Sequence, residues 1–224
     1  MNRRSYDTPS GNPDLGPESG RDLQLLDAHI TKWWGEVTEV IDENRSEYVH
    51  IDLYVVPATD QRRYHTIITT GMSDRPMRAP QGREDCRYCE LLLALPPEWP
   101  IKKDHFADER VWWPFRQLKE AARLPHMYDT WVWYGHTLSN GDPPEPYAPD
   151  VEFCGGIFSI PVLRPDGARR VRLRDDKEVF FFVFIPIFES ELRLAWEHGA
   201  NALFERLDAM NVSELVRKDR EKAD

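Results

Sequence analysis

His50 and Asp52 stand two residues apart in a stretch that alternates like a strand, so their side chains point the same way. An aspartate that holds one ring nitrogen of a histidine can turn the other into a base or a metal ligand. His136, just after Gly135, and His126 are the imidazoles that could join them. A metal-dependent hydrolase built on His50, Asp52 and His136 is therefore one reading. The plainer one, favoured here, is a polar strand face continued by Tyr54, with histidines held in structural hydrogen bonds. Cys86-x-x-Cys89 has the spacing of half a zinc site. No second cysteine pair accompanies it, and on a strand running over 86–95 residues three apart diverge, so both thiols read as small buried groups. Ser73, in Gly71-Met72-Ser73-Asp74, begins like a nucleophile elbow, but Arg75 stands where that motif needs glycine, and a turn fits better. No phosphate-binding loop, dinucleotide fingerprint or H-E-x-x-H pattern occurs.

Asp142-Pro143-Pro144-Glu145-Pro146-Tyr147 sets two carboxylates and an aromatic ring on a stiff loop, which loses little entropy on binding and suits a basic partner; a surface connection of no special role is the plainer reading. The residues expected to touch a partner are thus His50, Asp52, Tyr54, Ser73, Asp74, His136, Asp142, Glu145 and Tyr147. No catalytic residue, metal ligand or cofactor is expected. The net charge of −10 over 224 residues argues against direct contact with nucleic-acid phosphates; it suits a basic partner such as a nucleic-acid-binding protein or a nuclease, or equally serves solubility alone. Three cysteines give no disulfide framework and suit a reducing compartment. Met1-Asn2-Arg3-Arg4 is followed by no apolar signal region, and the longest apolar run, 179–188, is far shorter than the ~20 residues of a membrane-spanning helix. A cytoplasmic protein with no membrane role is the expectation.

Residues 1–20, rich in Pro, Gly and polar groups, read as a flexible tail, and 21–218 as the folded domain. Leu23, Leu26, Ile30, Trp33, Val37 and Val40 recur every three to four residues and predict a helix over 22–43. Strands are expected at 47–56, 64–70 and 86–95, the last buried on both faces because Leu91 to Leu95 is continuously apolar. A second helix opens at Trp113-Pro114 and ends at Pro125. Further strands fall at 131–138, 153–163, 171–173 and 179–188, with Gly155-Gly156 marking a bulge or a close backbone approach. Helix follows over 189–211, broken at Gly199, and the last dozen residues read as solvated. Clustered strands with helices between them predict an α+β fold: a mixed, largely antiparallel sheet flanked by helices.

Several stretches together resemble the suppressor of fused family, its bacterial single-domain members in particular. They are His50-Ile-Asp-Leu-Tyr-Val-Val-Pro57, Tyr64 through Asp74, Glu90-Leu-Leu-Leu-Ala-Leu-Pro-Pro-Glu-Trp99, and Trp113-Pro114 on to Tyr134-Gly-His-Thr137. Asn140-Gly-Asp-Pro-Pro-Glu145, Phe153-Cys-Gly155, Asp175-Asp-Lys177 and His198-Gly199 fit as well. The match spans about residues 47–210. The resemblance implies an α+β domain without catalytic activity. The animal member restrains transcription factors by clamping a peptide that adds to its sheet as a strand. Bacterial members are regarded as immunity proteins that neutralise toxins, many of them nucleases. This sequence ends soon after the animal protein's first domain, so a two-domain clamp is not expected, whereas strand addition at a sheet edge is. The expected function is an immunity- or antitoxin-like inhibitor, or another regulatory protein-binding domain.

Overall fold

Apolar runs too long for a half-exposed strand demand cover on both faces, and the architecture supplies it. The computed structural model describes residues 17–42 and 48–223. Its helices are α1 (Pro17–Trp33), α2 (Glu109–Met127), α3 (Glu189–His198) and α4 (Ala200–Ala209). The strands are β1 (Glu39–Ile41), β2 (Asp52–Val56), β3 (His65–Thr70), β4 (Cys89–Leu95), β5 (Thr137–Ser139), β6 (Gly155–Ser159), β7 (Arg170–Arg174) and β8 (Lys177–Ile187). They form one sheet in the order β1-β2-β3-β4-β8-β6-β5, with β7 also paired to β8. Every pairing is antiparallel except β4 with β8, which runs parallel from Cys89↔Phe180 to Leu92↔Val183. The expected mixed, largely antiparallel α+β sheet is what forms.

Alternate residues of the central strands enter two cores. Leu91, Leu93, Phe182 and Phe184 pack with Trp113, Phe115 and Leu118 of α2. Leu92, Phe181, Val183 and Ile185 pack with Ile30 of α1, Leu192 of α3 and Leu203 of α4. Gly156 lets the ring of Phe184 cross its strand, since a Cβ there would stand 2.1 Å from two ring carbons. The glycine pair therefore marks a close approach.

Element ends moved where backbone chemistry outweighed periodicity. α1 stops ten residues before the predicted end because Gly35 adopts φ +113°, and Val40 falls in β1 instead. α2 starts earlier than Trp113, capped by Asp108, whose carboxylate accepts from Arg110 N, and both prolines lie inside it. Cys86 belongs to a 3-10 turn before β4. Of 131–138, only the end is strand. Residues 1–16 of the expected tail lie outside the described residues, and α1 begins at Pro17.

The largest correction concerns the C-terminal segment, which was expected to be solvated and is instead wired into the fold. Ala94 N donates to Glu214 O (3.0 Å) and Val216 N to Ala94 O (2.8 Å), so the segment pairs with β4 beyond the point where β8 leaves it. The Glu214 carboxylate accepts from Leu163 N at 2.9 Å. Arg220 and Glu191 make a two-pronged ion pair, both contacts 2.6 Å, with side chains 4% and 0% exposed. Glu191 also accepts from Phe188 N and Ala223 N, and Arg220 donates to Pro186 O and covers the Phe188 ring. A buried charge pair is costly to break from one side, because the partner charge is left in the interior. Arg220→Ala is therefore expected to lower the unfolding free energy by about 3–5 kcal/mol. Arg193→Ala, which removes the exposed ion pair to Glu189, should change stability far less, because water screens that pair. Urea denaturation of the two variants checks the contrast.

Candidate functional site

The nine residues expected at a binding surface fall into three separate places, and only one of them faces outward over most of its length. His50 Nε2 meets Asp52 Oδ1 at 2.8 Å, as the sequence suggested, but the Asp52 side chain is 1% exposed. Tyr54 is 6% exposed and its hydroxyl donates to Asp27 Oδ1 of α1 at 2.9 Å. This face of β2 was expected to be open; α1 covers it, because β2 is buried on both sides. His136 precedes β5, five strand spacings away, about 24 Å at roughly 4.8 Å per spacing. The three groups of the hydrolase reading do not converge. Among the described residues, no three His, Cys, Asp or Glu side chains lie close enough to hold a metal.

Ser73 is the second place. Gly71, at φ +102°, turns the chain into a 3-10 turn over Met72–Asp74. The Glu90 carboxylate of β4 closes that turn. Its Oε1 accepts from Gly71 N (3.0 Å), Ser73 N (3.0 Å) and Ser73 Oγ (2.7 Å), and its Oε2 from Thr69 Oγ1 (2.7 Å). Burial raises the Glu90 pKa to about 7, against the opposing pull of the Thr69 and Ser73 hydrogen bonds. A hydroxyl on a carboxylate of raised pKa has the form of a nucleophile and its base. Ser73 is 2% exposed and Glu90 fully buried, so no substrate reaches them, and the pair works as a turn lock. Asp74 alone of this group is exposed. Glu90 was missed as a polar centre because it stands singly within an apolar strand.

The third place is the β5 edge and the loop after it. His136 packs edge-on against Trp131, with ring centroids 5.0 Å apart, and burial lowers its pKa. Asn140 ties the loop by donating from Nδ2 to Glu145 O, while Glu145 N donates to Asn140 O. Asp142 and Glu145 stand exposed. Tyr147 was expected beside them; it is instead 2% exposed, stacked on Trp113 at 5.4 Å and 10°, and anchors the loop. Two aromatics not foreseen complete the surface. Trp196 of α3 is 55% exposed and donates from Nε1 to Thr137 Oγ1 at 3.1 Å. Tyr134 is 42% exposed and stacks on Phe204 of α4. In the sequence Trp196 is one more apolar residue of a helix, with nothing to mark it as outward.

Three further histidines, one buried and two half-buried, are structural. His29, His65 and His126 each bond a backbone carbonyl, of Ala168, Pro97 and Met72, and burial lowers the pKa of each. They contribute stability that is present above their unfolded value of 6.5 and lost as pH falls. Glu90 acts in the opposite sense: its contribution is full below the unfolded value of 4.5 and is lost as pH rises through about 7. Glu90→Gln keeps the acceptor and removes the charge. The stability of the native protein relative to this variant is expected to fall between pH 5 and 7 and then level off. Glu90→Ala, which strands several buried donors, should cost about 3 kcal/mol or more at every pH. Denaturant titrations from pH 5 to 9 measure both.

Comparison with known proteins places this geometry. The family model of Suppressor of fused protein (SUFU) matches residues 47–221. Among curated protein sequences, none matches the chain. The fold is similar to the crystal structure of a suppressor of fused homologue from Neisseria gonorrhoeae FA 1090, with a TM-score of 0.65 and 15% identity, over 92% of this chain and 96% of that one. A Sufu–Fu complex gives a TM-score of 0.63 at 12% identity, over 90% of this chain and 92% of that one. Drosophila Suppressor of Fused gives 0.61 at 12% identity over 91% of this chain, which spans about half (51%) of the Drosophila chain. No helix among the described residues is long and apolar enough to cross a membrane. At such identities the solved structures speak to fold alone, and the sequence match covers most of the chain: it belongs to the suppressor of fused family.

Proposed function

We propose that this chain is a non-catalytic protein-binding domain that receives an extended segment of its partner along β5. The carrying observation is the contrast between the sheet's edges. β7 alternates Arg170, Arg172 and Arg174, and such a charged edge discourages further pairing. On β1, the carbonyl of Ile41 already accepts from Lys119 Nζ at 3.2 Å. β5 reads Thr-Leu-Ser, without a charge. Its pairing with β6 turns His136 O and Asn140 N inward, so alternation points the N–H and C=O groups of Thr137 and Ser139 outward. Trp196 and Tyr134 lie beside this edge as exposed aromatic anchors, the residue types that carry most binding energy.

The partner is read as a basic protein, in the manner of a toxin held by an immunity protein. The net charge of −10 supports this, as do Asp142 and Glu145 on the loop that leaves β5. Among the solved structures the chain resembles is a Sufu–Fu complex, which supports a protein as the ligand. His136, Asp142 and Glu145 remain in the proposed surface. His50, Asp52, Tyr54, Ser73 and Tyr147 are assigned to the scaffold, and Asp74 lies apart from β5. The hydrolase reading has no support in the placement of its residues.

The test is quantitative affinity capture from native cells at low salt, with the wild-type chain, Trp196→Ala and Ser139→Pro as baits. Proline is tolerated on an edge strand but removes an outward N–H. Wild type is expected to retain a basic partner, less of it as salt rises. Each variant should lose about 2 kcal/mol of affinity, roughly thirtyfold. Undiminished capture by both folded variants would remove β5 as the binding edge, and recovery of no partner by wild type would count against the binding role itself.

A further inference from the structure

Three sulfurs meet beneath the loop that precedes β4. Cys89 Sγ lies 3.8 Å from Met72 Sδ and 3.8 Å from Met77 Sδ, and the three residues are 0%, 0% and 3% exposed. The chain has three cysteines and five methionines, so this is a concentration of its soft atoms. Cys86-x-x-Cys89 lacks a second cysteine pair; the fold gives Cys89 two thioethers in its place. The β5 surface makes no use of them.

Charge and softness indicate what could enter. Cys89 is wholly buried, so a metal that enters in exchange for the thiol proton must do so with little change of charge. A monovalent cation that takes the place of that proton leaves the net charge unchanged: Cys89–SH + M⁺ gives Cys89–S–M and H⁺. A divalent ion would add one positive charge to the interior, at high cost. The neighbouring Glu90 carboxylate is already committed to Thr69, Gly71 and Ser73. Thiolate and thioether together select d¹⁰ ions of the Cu(I) type. A trigonal ion with metal–sulfur bonds of about 2.3 Å sets its sulfurs about 4 Å apart, close to the 3.8 Å that separates Cys89 Sγ from each thioether. Access is short. Met77 is buried, but residues 74–76 and 80–85 on the same loop are exposed. Met77 N donates to Arg87 O at 2.8 Å, which pins the loop over the sulfurs.

We propose that Cys89, Met72 and Met77 form a binding site for one monovalent soft metal ion of the Cu(I) class. Cys86, whose Sγ receives Arg83 Nη2 at 3.1 Å, is the competing thiol three residues before Cys89. The test presents Cu(I) as its bicinchoninate complex to the full reduced chain. One equivalent is expected to load, with X-ray absorption showing three sulfurs at about 2.3 Å. Cys89→Ala should abolish loading. Met72→Leu and Met77→Leu nearly conserve volume and should each weaken it about tenfold or more while the fold is kept. Cys86→Ala and Cys154→Ala should still take one equivalent. Unchanged affinity in both folded methionine variants, two-sulfur coordination in the wild type, or loss of loading in Cys86→Ala would reduce the site to ordinary thiol capture and overturn the proposal.

Discussion

The parallel contact between β4 and β8 is the seam on which the molecule depends. On one side lie β1 to β3, joined to β4 by successive antiparallel pairings; on the other lie β5, β6 and β7, all reached through β8. The two strands share four residue pairs, Cys89↔Phe180 to Leu92↔Val183. Beyond Leu92, β4 would present unpaired backbone to the interior, where each orphaned group is costly. The C-terminal segment supplies the missing partner at Ala94, and the Arg220–Glu191 pair fixes it to α3. The seam is therefore held at one end by strand pairing and at the other by a segment from the far end of the chain. That accounts for a tail so rich in charge being packed so closely: the charges sit on the ion pairs that seat it, and Val216 and Ala223 enter the core between them.

A sheet covered on both faces also explains why groups that look reactive are inert. In such an interior any polar side chain must find partners among its neighbours. Glu90 does so with one turn and one threonine, His65 with the amide of Ala58 and the carbonyl of Pro97, Glu191 with Arg220 and two amides. Close pairs of hydroxyl, carboxylate and imidazole arise from this constraint alone. The Ser73–Glu90 contact has the distance of a catalytic dyad and none of the access.

The sequence was legible where periodicity and composition act alone. The continuous apolar runs identified β4 and β8 as central, the Gly155-Gly156 pair signalled a close approach, and Gly199 divided the last helices. The motifs of the family were readable over most of its extent. What was not legible depends on what packs against what. The alternation of His50, Asp52 and Tyr54 suggests an exposed polar face until α1 is known to lie on it. Tyr147 stands beside two exposed carboxylates in the chain, yet Trp113, thirty-four residues earlier, takes its ring. Trp196 carries the same hydrophobic signature as Leu192, one turn before it, although one faces solvent and the other is buried. Local pattern fixes which residues alternate; only the tertiary partner decides which face is covered.

The same distinction bears on how the proposed binding edge persists. An uncharged edge strand invites unwanted pairing, and proteins usually blunt theirs with charge, brevity or cover. Here β7 carries arginines and β1 and β5 are three residues long. Brevity limits what β5 can recruit through its backbone alone, to a few hydrogen bonds worth about 1 kcal/mol each. An adventitious strand gains little from that. A partner that also stacks on Trp196 and Tyr134 and meets the carboxylates of Asp142 and Glu145 gains considerably more, because the aromatic contacts are already held in place by Thr137 and Phe204. On the proposed surface, selectivity would come from requiring both together: a backbone edge too short to hold a stranger, set beside side chains that reward one particular sequence.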